Sequence, residues 1–318
     1  MTVSLLIIYF YYLLKMKQYI KKITPKILWQ WMRRQKILCT HHKASQFCNA
    51  LIDAYENKPI RYSFLQKKRI SQKVIWQYWG QGYDNVPEVV KICLESVDKY
   101  KGDCQLVRLT DKNISEYLDL PNFVLKKREL FPHAFFSDLL RCLLLSTYGG
   151  VWLDATILLT GPLPDRYFDM DFFMFQRAKD EVNQSYWENT FAYYYGWYNG
   201  FKVNVLNSVF FGKREANIVK EISKYLLFFW EYETKLPDYF FFQILFNQLI
   251  EKHPEWNCTI ESDCLPHYVM QMLTDNFSYL SFKETIALTN IHKMTYKMPE
   301  KHVAKLKELL NSISKQMN

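Results

Sequence analysis

The stretch Phe136-Ser-Asp-Leu-Leu-Arg-Cys-Leu-Leu-Leu-Ser-Thr-Tyr-Gly-Gly-Val-Trp-Leu-Asp-Ala-Thr156 constrains the fold more than any other part of the chain. Its first half is an apolar run with the spacing of a helix over 134–148, and it carries one acid and one base, Asp138 and Arg141, three positions apart and so on one helix face. Gly149-Gly150 ends the helix, because glycine accepts the left-handed conformation that a C-terminal cap requires. The chain then enters a short strand over 151–154 that delivers the Asp154 carboxylate at its end. A helix feeding straight into a strand is the repeating unit of a layered α/β domain.

The same alternation runs through most of the chain. Strands are expected over 73–79, 104–109, 171–176, 203–211 and 286–291, and helices over 87–100, 214–232, 238–252 and from Glu300 onward. Between 87 and 100, for example, Val89, Val90, Cys93, Leu94 and Val97 recur with helical spacing. The pattern predicts an α/β fold with a mostly parallel sheet, in which ligands sit outside the carboxyl ends of the strands. The length of 318 residues suits about two domains or one large one. With 49% hydrophobic and 23% charged residues, the composition excludes a disordered chain and a polytopic membrane protein. The 23 Phe, 23 Tyr and 9 Trp, against only 9 Gly, fit a chain that buries large rings and presents some of them to sugar or base.

The net charge of +9 belongs to one end of the molecule. Residues 1–52 hold nine Lys or Arg and no acid, which leaves 32 basic and 32 acidic residues over 53–318. A neutral main body offers no nucleic-acid surface. The N-terminus opens with an apolar run over 3–14, broken only by Ser4 and followed at once by lysines. Twelve residues fall short of the roughly 20 needed to span a bilayer. No charge precedes the run and no small-residue cleavage site follows it, unlike a secretory signal. The expectation is a segment lying on or dipping into a membrane, its basic stretch facing anionic lipid, at the cytoplasmic face of the cell membrane. A helix packed on the protein's own core is the alternative, as is a true span cut short by a misplaced start. The division expected is a basic, helical N-terminal region over 1–70, with a break near Pro59, and a globular domain over 71–318. Seven cysteines without a CxxC pair exclude a zinc ribbon and a disulfide framework and point to a reducing cytosol. The histidines form no HxH or HExxH arrangement, which removes a catalytic zinc site.

Charges set among Leu139, Leu140, Leu143 and Leu144 face desolvation and need partners. Asp138 and Arg141 therefore form either a buried structural pair or a pair aimed into a cleft, Arg141 toward anionic or hydroxyl groups and Asp138 accepting from sugar hydroxyls. Side chains at i and i+2 of a strand share a face, which places Thr156 beside Asp154. A carboxylate with a hydroxyl next to it can hold Mg²⁺ or Mn²⁺ against a diphosphate. A turn acid or a helix cap explains a lone Asp after a strand equally well.

The helix-borne D-x-x-R followed by Y-G-G-V-W-L-D-A-T resembles the capsular polysaccharide synthesis glycosyltransferases. These stand within the family 32-like D-x-D sugar transferases related to the yeast initiating mannosyltransferase and, more distantly, to the large glucosylating bacterial toxins. The resemblance covers about residues 71–298 and rests on four blocks in the family's order: Val74-Ile-Trp-Gln-Tyr-Trp-Gly-Gln-Gly82, the D-x-x-R to D-A-T block, Asn207-Ser-Val-Phe-Phe-Gly212 and Ile291-His-Lys-Met-Thr-Tyr-Lys297. It implies a GT-A fold, a nucleotide-sugar donor (a UDP-sugar foremost), Mn²⁺ or Mg²⁺, and transfer with retention to a glycan or lipid-linked oligosaccharide acceptor. Asp154 matches the first acid of the D-x-D metal motif, while Thr156 stands where many relatives carry the second, a departure that should weaken metal affinity. By the same resemblance Asp138 and Arg141 contact the donor sugar, Trp76 and Trp79 stack on the base, and His292 closes on metal or diphosphate. Lys293 adds charge at the leaving group and Asn207 contacts the donor. Asp238 is either the N-cap of the helix after it or a catalytic acid on the acceptor side. Two other functions compete. A nucleotidyltransferase would carry a Gly-rich phosphate loop, which this chain lacks; a silent sugar-nucleotide-binding adaptor has only Thr156 in its favour.

Overall fold

A computed structural model describes residues 26–316 other than 60, 61, 64, 215, 275 and 276. The apolar run over 3–14 and the lysines to position 22 lie outside the described residues.

The chain forms a layered α/β fold around a five-stranded sheet. Strands β1 (Val74–Tyr78), β2 (Gln105–Leu109) and β3 (Gly150–Leu153) run parallel, in the spatial order β2-β1-β3. After β4 (Ile157–Leu159), strands β5 (Phe172–Gln176) and β6 (Val205–Gly212) complete the sheet on the far side of β3, in the order β3-β6-β5. β6 is antiparallel to both of its neighbours, so four strands share one direction and one is reversed. β4 leaves the main sheet and pairs antiparallel with β7 (Ile291–Lys293).

Alternation along the strands divides the core. Val74 and Trp76 of β1, Trp152 of β3 and Phe210 of β6 face one layer of helices. That layer contains α1 (Lys26–Asn57), α4 (His133–Tyr148), α7 (Asn217–Tyr232) and α8 (Phe241–Lys252). Ile75, Val151, Leu153 and Phe211 face the other side, toward α2 (Glu88–Tyr100) and α5 (Asp165–Phe168). The remaining helices are short: α3 (Asn122–Lys127), α6 (Gln184–Thr190), α9 (Tyr268–Thr274) and α10 (Phe282–Leu288), before the C-terminal α11 (Glu300–Gln316). α4 is buried on nearly every side, as a helix apolar all round must be.

The glycine pair after α4 does two jobs. The Gly149 N–H caps the helix by donating to Leu145 O at 2.8 Å. Gly150 adopts φ +95°, and a Cβ there would lie 2.4 Å from the Val74 carbonyl oxygen, so no other residue lets β3 close against β1.

Three expected elements are corrected. The strand over 286–291 begins only at Ile291, because a capping box of Ser281 and Glu284 starts α10 and draws Ile286 and Leu288 into a helix. The helix over 238–252 begins at Phe241; Asp238 precedes it and accepts from the Phe240 N–H at 2.7 Å, an Asx turn and not an N-cap. Helix in the basic region stops at Asn57, short of position 70. Its Ile37, Ala44, Cys48, Leu51 and Tyr55 join the main core, with Phe47 edge-on to Phe229 at 6.0 Å and Tyr55 to Tyr225 at 4.8 Å.

Candidate active site

Trp152 faces the α4 layer, and by strand parity Asp154, two residues on, faces it too. Asp154 lies just past β3, in a turn closed by the Ile157 N–H donating to Asp154 O at 2.8 Å. Thr156 therefore approaches Asp154 through this turn and not through an extended strand. The turn sends the chain into β4, where Ile157 pairs with Lys293 of β7. Two segments far apart in sequence thus meet at one corner. The Lys293 ammonium donates to Thr156 Oγ1 and stands 3.5 Å from Asp154 Oδ2.

Behind this corner α4 presents Asp138 and Arg141. Arg141 Nη1 donates to Asp138 Oδ1 at 2.5 Å, and Nη2 donates to Ser137 Oγ at 3.1 Å and to Asp154 Oδ1 at 3.2 Å. The Trp152 indole N–H adds a 2.8 Å bond to the same Asp154 oxygen. Asn207 reaches Asp138 from β6. Phe173 pairs with Phe211 but Phe175 with Leu206, so β6 carries extra residues there, and this bulge turns Asn207 toward α4. Burial pushes the Asp138 carboxyl up to about 7, against the opposing pull of Arg141. Burial acts upward on Asp154 as well, but Lys293, Arg141 and the Trp152 N–H together hold it below the usual carboxylate range.

In front of the corner lies a cleft of about 630 Å³, at the carboxyl ends of β1 and β3. Asp154, Thr156 and Lys293 form its polar wall; Tyr78, Trp79, Trp152, Tyr239 and Tyr296 supply rings. Trp79 meets Tyr296 edge-on at 6.1 Å. A few polar groups among aromatic faces is the composition of a site that orients a sugar or a base.

The structure brings together Asp138, Arg141, Asp154, Thr156, Asn207 and Lys293, and leaves Trp79 on the cleft wall. Arg141 is not a cleft group: its side chain is 3% exposed and its Nη atoms are held by Ser137, Asp138 and Asp154, so it orients the carboxylates. Trp76 is fully buried, its indole donating to Gly149 O at 3.0 Å, and it has no face to offer a base. Asp238 is absent from the cleft lining; its charge acts on His41 and Cys48 of α1. His292 is fully buried on the side of β7 opposite Lys293 and bonds Thr160 Oγ1 at 3.0 Å. Burial lowers its pKa to about 3, so the ring is neutral. Reading the sequence missed Ser137, Tyr239 and Tyr296, and Gln243, which donates to Asn207 Oδ1 at 3.2 Å. Only Ser137 left a signal, one turn before Arg141; the rest reach the site through tertiary folding.

The donor set does not suit Mn²⁺ or Mg²⁺. Both Asp154 oxygens face cations, Thr156 is bonded to one of them, and His292 points away. Among the described residues, no group of three or more His, Cys, Asp or Glu could hold a metal ion.

The family described as capsular polysaccharide synthesis protein matches residues 28–315, most of the chain. The O-glycosyltransferase braB of Annulohypoxylon truncatum is 30% identical over 104 residues, covering 27% of this chain and 23% of that protein. The match thus spans under a quarter of that relative's length. The cleft, its carboxylate corner and the family match lead to one assignment: this chain belongs to the capsular polysaccharide synthesis protein family.

Proposed function

We propose that the chain is a retaining glycosyltransferase of capsule synthesis, moving a sugar from a nucleotide-sugar donor, a UDP-sugar, to a glycan acceptor. The observation that carries this is the cleft at the carboxyl ends of β1 and β3, where Asp154, Thr156 and Lys293 face a wall of aromatic rings. The sheet, with β6 alone reversed, supports assigning the fold to the GT-A type. In the reaction, the bond between sugar C1 and the diphosphate oxygen breaks and its electron pair stays with the diphosphate. The acceptor hydroxyl oxygen bonds C1 from the same face, and its proton passes to the departing phosphate oxygen. Lys293 stabilises the charge on the diphosphate, and Asp154 stabilises the positive sugar ring. Trp79 at the cleft wall is the ring placed to stack on the base.

A lipid-linked acceptor at the membrane is supported by the composition of residues 1–22 and by the start of α1, where exposed Ile27 and Trp31 stand beside Arg33 and Arg34. No helix among the described residues is long and apolar enough to cross a membrane.

Release of nucleoside diphosphate from a panel of nucleotide sugars tests the reading. One donor should turn over, and Asp154→Asn should slow it by about 100-fold or more while the circular dichroism spectrum stays unchanged. Wild-type turnover in that variant would remove Asp154 from the chemistry, and no release from any donor would overturn the reading.

A further inference from the structure

We propose that the Lys293 ammonium takes the place of a divalent cation, binding the donor's diphosphate so that the cleft works without a metal ion. This rests on reading the cleft as a nucleotide-sugar site.

The ammonium lies where the metal of a D-x-D motif was expected, between the Asp154 carboxylate and the Thr156 hydroxyl. It is held there by the fold. The β4–β7 pairing sets Ile157 opposite Lys293, and the lysine side chain is only 23% exposed. An ion ligated by both oxygens at about 2.1 Å would sit within about 5 Å of this ammonium. It would also meet the Arg141 guanidinium on the other Asp154 oxygen. A second like charge is disfavoured in so confined a place, whereas an anion is drawn in.

The local charge supports the same conclusion. Asp154 between Arg141 and Lys293 carries a formal +1, to which Asp138, the other partner of Arg141, adds no charge while it keeps its proton. A single carboxylate bearing a divalent ion would present that same charge to a diphosphate. Thr156 then has a reason to replace the second acid of the motif: another carboxylate would cancel the lysine, while a hydroxyl accepts one N–H and leaves the charge in place. Lysine has three donors. Thr156 engages one and Asp154 lies 3.5 Å away as an ion-pair partner, which leaves at least one for a phosphate oxygen, and an ammonium binds phosphate as a compact point charge. When the C1–O bond breaks, the electron pair left on the diphosphate meets this ammonium.

The test is calorimetric titration of UDP, GDP and inorganic pyrophosphate into the full chain, in EDTA and in Mn²⁺. At least one of these probes should bind in EDTA with an affinity within about threefold of that in Mn²⁺, a difference under 1 kcal/mol. Lys293→Gln should weaken binding in EDTA by about 10- to 100-fold, the range for losing a hydrogen bond to a charged group, and Lys293→Arg should recover part of it. Wild-type binding that requires Mn²⁺ overturns the lysine proposal and leaves the nucleotide-sugar reading standing, and so does unchanged binding by Lys293→Gln. No binding of any probe in either buffer overturns both. Should Lys293→Gln fail to fold, the comparison of EDTA with Mn²⁺ on the wild-type chain still decides.

Discussion

Asn207 donates from Nδ2 to Asp138 Oδ1 at 2.8 Å, tying the bulge of β6 to the buried face of α4. The Asn207 carbonyl in turn accepts from Gln243 of α8 at 3.2 Å. A chain of bonds therefore runs from α8 through β6 and α4 to the turn after β3, ending at the lysine of β7. These bonds tie the cleft wall to the helical core behind it, and charges positioned in this way act on a developing charge without reorganising.

Asp138 makes stability depend on pH. Its folded carboxyl titrates near 7, raised by burial from an ordinary value of 3.8, so between those two the folded state holds a proton that the unfolded state has released. Unfolding then releases a proton, and stability from this group is greatest in acid and falls as pH rises toward 7. Urea unfolding at pH 5 and pH 8 should show a larger loss for wild type than for Asp138→Asn. Equal losses would mean that Asp138 stays ionised throughout that range.

Arg141→Ala should destabilise the whole protein. The guanidinium is the shared partner of two carboxylates and is 3% exposed, so its removal leaves uncompensated charge behind the cleft. Loss of one partner from a buried pair costs about 3–5 kcal/mol. Chemical denaturation measures this directly. A variant as stable as wild type would show that the network adjusts without the arginine.

The sequence displayed the α/β layering, the helix–glycine–strand unit and the acid at the end of β3, because these follow from local periodicity and glycine conformation. It placed Asp138, Arg141, Asp154, Asn207 and Lys293 near one another only through the resemblance, and it could not assign their partners. His292 and Lys293 show why. Adjacent strand residues face opposite sides, and which one meets Asp154 depends on the β4–β7 register, set by chain segments more than a hundred positions apart. Trp76 and Trp79 differ in the same way: the first lies inside β1, where both faces are covered, and the second lies just past its end.

Gly150→Ala tests the backbone logic of the site. The new methyl would overlap the Val74 carbonyl at 2.4 Å and would hold an L-residue at φ +95°. Strain of this kind together with overpacking costs roughly 2–5 kcal/mol. The urea midpoint should fall accordingly, and donor turnover should fall with it, since Asp154 follows on the same short strand. Stability within 0.5 kcal/mol of wild type, about the scatter of surface substitutions, would show that β3 can shift away from β1.

The proposed membrane attachment is separable from the chemistry. Deleting residues 1–22 removes the apolar run over 3–14 and Lys15, Lys17, Lys21 and Lys22. Each lysine near an anionic surface contributes about 1 kcal/mol, screened by salt, and the apolar run adds burial. Full-length protein should sediment with anionic vesicles at low salt and release as salt rises, whereas the truncated chain should stay largely in the supernatant. Exposed Ile27 and Trp31 at the start of α1 remain in the truncated chain and should account for any residual binding, which Trp31→Ala would then reduce. Donor hydrolysis should be the same in both chains, because every group on the cleft wall lies beyond position 77. Equal sedimentation of the two chains would assign no membrane role to the first 22 residues.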